Sequence, residues 1–277
     1  MSSPSPSVPP AAPSVVRARI AGATAQGRAA LVGYLPAGFP DVDTSIAALH
    51  AMVDGGVDVV EVGLPYSDPV MDGPTIQQAA QSALAAGIRT RDVFRVVEAV
   101  AETGTPTVVM TYWNPVERYG VERFAADLTS AGGSGLITPD LIPDEADEWM
   151  AAASTHGLDR IFLVAPSSTD ERIARTVRAC DGFVYAASIV GVTGARTVTS
   201  SAAPALVQRV RAATDLPVGV GLGISDADQA AEVATFADAV IVGSAFVRRM
   251  LDAADRATAL TDLRTLSGDL ADGVRRR

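Results

Sequence analysis

The 277 residues carry 32 acidic and 22 basic side chains for a formal net charge of −10, with 48% hydrophobic and 19% charged residues. That balance argues against nucleic acid and against an anionic membrane surface, both of which are bound through basic patches. All 22 cations are arginine, which excludes a Schiff-base aldolase and a pyridoxal phosphate aldimine, and the single cysteine, Cys180, excludes an intrachain disulfide and a Cys-rich zinc cluster.

The chain opens on MSSPSPSVPPAAPS, residues 1–14, which lacks the charged-then-apolar order of a signal peptide and reads as a disordered Ser/Pro-rich tail. No apolar run approaches the ~20 residues that span a bilayer. The reading is a cytoplasmic protein whose remaining residues, 15–277, form one domain. A helix is expected over 15–27 and a first strand over 30–35, stopped by Pro36 and Gly38. A helix over 43–54 leads to a second strand over 58–64. After a turn-rich loop come helices over 76–86 and 90–102, then a third strand over 107–112 that runs into Trp113, Asn114 and Pro115. A helix over 121–130 and a strand over 135–138 follow, then helix 144–156, strand 161–164, helix 169–179 and strand 183–187. The last units are a loop with Gly191, Thr193 and Gly194, helix 203–213, strand 217–221, helix 225–235, strand 239–242 and C-terminal helices.

Eight short apolar strands, each followed by a helix, predict an α/β fold: a (β/α)8 TIM barrel with a short N-terminal helix and extra C-terminal helices. The structural alternative is an open doubly wound sheet, though no GxGxxG or Walker A run follows the first strand.

Within the second strand one carboxylate, Glu61, interrupts the apolar run Val59, Val60, Val62. Side chains alternate along a strand, so Val59, Glu61 and Gly63 share a face. Facing the barrel interior, Glu61 would be desolvated and held protonated as a general acid, with Gly63 leaving room above it for a ligand. The bland alternative is an outward Glu61 paired with an arginine. Asp68 and Asp72 lie in the following loop among Pro69, Gly73 and Pro74, where a carboxylate stays at least partly solvated and ionised. Asp72 could accept from a substrate N–H, or merely close an Asx-turn. Gly219, Gly221 and Gly223 close the seventh strand, and Gly243 and Ser244 close the eighth before a short helix over 245–250. Glycines and a helix start at that position make a phosphate site that needs no lysine. His50 and His156 sit in helix-like stretches without metal or triad partners and are expected to be structural; no metal site is expected.

These motifs resemble the tryptophan synthase α-subunit family from about residue 15 to residue 250. The most specific is EVGLPYSDPVMDGPTIQ at 61–77, with GYLPAG at 33–38, MTYWNP at 110–115, TPDL at 138–141, GVTG at 191–194, GLGI at 221–224 and VGSA at 242–245 in order. The resemblance implies retro-aldol cleavage of indole-3-glycerol phosphate to indole and glyceraldehyde 3-phosphate, without metal or organic cofactor in this chain. It also implies a separate pyridoxal phosphate-dependent β subunit in an αββα assembly that takes up the indole. Carried over by position, Glu61 and Asp72 look like the catalytic pair, and Tyr185 like the active-site tyrosine. Gly194, Gly223, Gly243 and Ser244 look like the phosphate cradle; Tyr34, Met110 and Thr193 look like the indole pocket and closing loop. Asp68, Pro69, Asn114 and Asp140 look like partner contacts. Met71 departs from the smaller residue expected there, and the tail and the helix beyond Met250 fall outside the resemblance.

Overall fold

A computed structural model describes residues 14–187, 202–221 and 223–277. Eight parallel strands, β1 (Ala30–Pro36), β2 (Val59–Gly63), β3 (Thr107–Met110), β4 (Gly135–Thr138), β5 (Asp159–Val164), β6 (Val184–Ala187), β7 (Val218–Gly221) and β8 (Ala239–Val242), pair in sequence order. The ring closes where Ala30 of β1 registers with Ala239 of β8. The open sheet is thereby excluded, and the barrel expected from the sequence is the observed architecture.

The helices are α1 (Val15–Ala25), α2 (Val42–Asp54), α3 (Pro74–Ala85), α4 (Thr90–Ala101), α5 (Trp113–Tyr119), α6 (Val121–Ser130), α7 (Asp147–His156), α8 (Asp170–Ala179), α9 (Ala202–Arg211), α10 (Ala227–Ala234), α11 (Ser244–Asp252) and α12 (Arg256–Val274). Among the described residues no helix is long and apolar enough to cross a membrane.

Strand alternation sorts the apolar side chains into two cores. Val60 and Val62 of β2 point outward into the layer under the helices, where Trp149, Phe124 and Met52 are fully buried. Val59 points inward with Val32, Val108, Ile137, Ile161 and Phe183. Glu61 shares the inward face with Val59, which settles its direction. Val16, Ile20 and Ala23 of α1 pack into the bottom of this inner core, so α1 plugs the N-terminal end of the barrel. Met110, Leu163 and Tyr185 lie against the same cluster and also line the cavity at the C-terminal end.

Two boundaries differ from expectation. Ser14, assigned to the tail, caps α1 by accepting from Arg17 N and donates to the buried Asp159 of β5 at 2.6 Å. Residues 1–13, the rest of that stretch, lie outside the described residues. Helix α5 was not expected, the sequence reading having assigned no element between the third strand and the helix over 121–130. Proline is tolerated in a first helical turn, where its missing N–H would have had no intrahelical partner, and the Asp140 carboxylate accepts from Trp113 N at 2.9 Å to hold that turn.

Candidate active site

At the C-terminal ends of the strands a cavity is lined by Tyr34 from β1, Glu61 from β2, Met110 from β3, Tyr185 from β6, Gly223 after β7, and Gly243 and Ser244 at the β8–α11 junction. Asp72 reaches it from the loop after β2. Thus eight residues expected at the site from separate parts of the chain meet around one space. Thr193 and Gly194 lie outside the described residues.

Glu61 is 1% exposed, and its Oε2 has no hydrogen-bond partner among the described residues. Burial pushes its pKa up to about 8, so the carboxyl is mostly protonated at neutral pH. Among the described residues no arginine pairs with it. A buried acid without a partner costs stability, and such groups concentrate where chemistry is done.

Asp72 is half-buried, in keeping with the partly solvated position expected for this loop. Burial raises its pKa, and a hydrogen bond from the Tyr112 hydroxyl to Oδ1, 2.9 Å long, works against that rise. The same hydroxyl accepts from Met71 N at 2.9 Å, and Gln77 Nε2 donates to the Asp72 carbonyl at 2.8 Å. The loop is therefore pinned from β3 and α3. Met71, the position that departs from the family pattern, itself lines the cavity.

Tyr112, which lines the cavity and donates to Asp72, was not singled out by the sequence reading. It is 5% exposed, and a tyrosine just past the end of an apolar strand reads as ordinary core; its closeness to Asp72, 40 residues earlier, exists only in the barrel. Leu64, Ile76, Pro139 and Leu163 supply further apolar wall.

The glycines work differently from expectation. Gly63 was read as leaving space for a ligand, but that space holds Tyr34: a Cβ at Gly63 would collide with Tyr34 Oη. A Cβ at Gly221 would come 2.6 Å from Tyr185 Oη. Both residues are thus glycine because a tyrosine hydroxyl occupies the side-chain space. Gly223 has φ 70°, a left-handed conformation that favours glycine. Helix α11 starts at Ser244 after Gly243 with no side-chain cap hydrogen bond, and both residues line the cavity, so a helix N-terminus of the kind that can bind anions borders it.

Asp68 and Asn114 are exposed on the rim, and Pro69 is half-buried beside Val70, which is 75% exposed. Asn114 Nδ2 donates to the Tyr66 hydroxyl at 3.1 Å, and the Tyr66 ring lies 5.4 Å from that of Tyr112. Asp140 is exposed and does not line the cavity. The two histidines lie elsewhere: His50 Nε2 bonds the Ala99 carbonyl and His156 Nε2 bonds Glu122.

Known proteins resemble this chain in sequence and in fold. The family profile described as tryptophan synthase alpha chain matches residues 20–275, which brings α12 inside a resemblance that the motifs alone carried only to about residue 250. The tryptophan synthase alpha chain of Acidothermus cellulolyticus is 68% identical over 252 residues, covering 91% of this chain and 94% of the relative. That of Thermobifida fusca is 61% identical over 264 residues, covering 94% and 98%. Among solved structures, a chain of Mycobacterium tuberculosis tryptophan synthase superposes with a TM-score of 0.90 at 58% identity, covering 95% of this chain and 99% of that one. Tryptophan synthase subunit alpha of Legionella pneumophila gives 0.86 at 32% identity, with the same coverage.

Proposed function

The chain belongs to the tryptophan synthase alpha chain family, and from that premise we propose that Glu61 and Asp72 divide the acid–base work of its reaction. The enzyme is a carbon–carbon lyase of tryptophan biosynthesis: it cleaves indole-3-glycerol phosphate to indole and glyceraldehyde 3-phosphate. Glu61, protonated at neutral pH, delivers its proton to indole C3. Positive charge then develops on the ring nitrogen, whose N–H donates to the Asp72 carboxylate. The bond between C3 and the carbinol carbon breaks with its electron pair returning to the ring, a carbonyl forms on the departing chain, and the carbinol proton passes to the Glu61 carboxylate. The acid is regenerated, and no net proton is consumed.

Order around the barrel supports the substrate's orientation. β7 and β8, which carry Gly223, Gly243 and Ser244, lie across the ring from β3 and β4, where Met110 and Pro139 form an apolar wall. The phosphate binds the first group and the indole ring lies toward the second. Gly194 and Thr193 would complete the phosphate cradle and the closing loop. The reaction asks for no organic cofactor in this chain, and a chain with no lysine cannot hold pyridoxal phosphate as an aldimine. That group belongs to the β partner, which receives the indole in an αββα assembly in the cytoplasm. Asp68, Pro69, Asn114 and Asp140, with exposed Val70, form the docking rim.

The observation that carries this reading is Glu61: an unpartnered acid, 1% exposed, on the wall of a cavity that also holds a second carboxylate. A crystal structure with an unreactive indole phosphate analogue tests it. The phosphate should contact Gly223, Gly243 and Ser244 with the ring between Glu61 and Asp72; a phosphate bound anywhere else contradicts it.

A further inference from the structure

Tyr34 was expected to line the indole pocket, a task that a phenylalanine ring performs equally well. Its hydroxyl therefore needs a separate account. Tyr34 is the register partner of Glu61 across the β1–β2 pair, and both line the cavity. Its ring runs from β8 to β2: a Cβ at Gly243 would come 3.3 Å from Tyr34 Cδ1, while one at Gly63 would collide with Oη. Oη accordingly lies at the level of Gly63, two residues beyond Glu61 on the same inward face of β2. Two glycines thus make room for the tyrosine, whose ring borders the gap from the phosphate end at Gly243 and Ser244 to β2, where its hydroxyl lies just beyond the acid at Glu61.

That gap is where the three-carbon chain of the substrate must run, given the orientation above. The chain carries two hydroxyls, and the one on the carbon bonded to indole C3 must lose its proton as the carbonyl forms. We propose that Tyr34 Oη hydrogen-bonds this carbinol hydroxyl and turns its proton toward Glu61, so that Tyr34 is a positioning residue that touches the substrate. The inference rests on the reading of the site given under the proposed function. Burial together with Asp72 and Glu61 holds the Tyr34 hydroxyl well above its ordinary pKa, so it stays protonated and is a hydrogen-bonding partner rather than a base. Tyr185, from β6, has its hydroxyl lodged against Gly221 on the opposite side of the barrel and is placed for a different part of the chain.

Tyr34→Phe removes the hydroxyl and keeps the ring. With the β partner present, indole release from indole-3-glycerol phosphate should fall about tenfold in kcat/KM, mainly through kcat, as expected for one lost hydrogen bond in the transition state. Affinity for indole, and for a phosphate analogue whose three-carbon chain lacks hydroxyls, should stay within about twofold of wild type, because neither carries the carbinol group. Wild-type kcat/KM in Tyr34→Phe would overturn the inference. An equal loss in affinity for indole would overturn it too, since the residue would then be packing alone. Glu61→Gln measured in parallel separates the two claims: turnover retained there overturns the assignment of the acid, whereas an inactive Glu61→Gln beside a wild-type-like Tyr34→Phe overturns only the role of Tyr34.

Discussion

Glu61 is readable as chemistry because it breaks a rule that its neighbours keep. A carboxylate at an inward position, two residues past Val59 and in register with Val108, is expensive, and among the described residues its Oε2 has no hydrogen-bond partner. The proposed mechanism needs this proton in place, and burial pushes the Glu61 pKa up to about 8, so kcat/KM should decline as pH rises through that value. The same proposal needs Asp72 ionised, so activity should also fall on the acid side as that carboxylate protonates. Tyr112 stabilises the ionised form by donating to Oδ1. Tyr112→Phe removes that donor, raises the Asp72 pKa, and should move the acid limb of the pH–rate profile to higher pH while leaving the alkaline limb in place. A profile with both limbs unmoved counts against this role. Tyr112 could not have been found by spacing, since its signal is a contact between loops 40 residues apart.

Strands and helices were mostly legible from period and punctuation, and their junctions less so. Alternation in β2 placed Glu61 on the face of Val59, and the barrel's two cores bear this out. What alternation could not show is which side chain fills the space beside each glycine. Gly63 read as room for a ligand and Gly221 as part of a phosphate site, yet they accommodate Tyr34 and Tyr185. Gly221→Ala tests the second case. Its Cβ, 2.6 Å from Tyr185 Oη, must displace the ring, so turnover should drop at least tenfold while stability falls by only about 1–3 kcal/mol, measurable by denaturant unfolding. Unchanged turnover would mean that the position of Tyr185 does not matter. Helix α5 escaped the sequence reading because the Asp140 carboxylate that receives the Trp113 N–H comes from after β4, a partner invisible to local pattern.

On the scale of the whole molecule, closure in sequence order turns separate motifs into one site. The strand ends after β2, β6, β7 and β8 are scattered from Glu61 to Ser244 along the chain, and the ring brings them around a single cavity. Charge bears on the proposal too: the chain has no lysine, and the phosphate site proposed at Gly243 and Ser244 rests on backbone N–H groups at the start of α11. The exposed rim at Val70 and Asn114 lies on the same end as the cavity, and Asn114, Tyr66 and Tyr112 connect it to Asp72. The claim on which the rest depends is that a protonated Glu61 drives cleavage. Its most direct test is single-turnover indole release by wild type and Glu61→Gln in the presence of the β partner, with substrate binding measured alongside. The account predicts a loss of at least about a thousandfold in rate with binding within about threefold, since the missing group acts only in the transition state. Release by Glu61→Gln at the wild-type rate would contradict it.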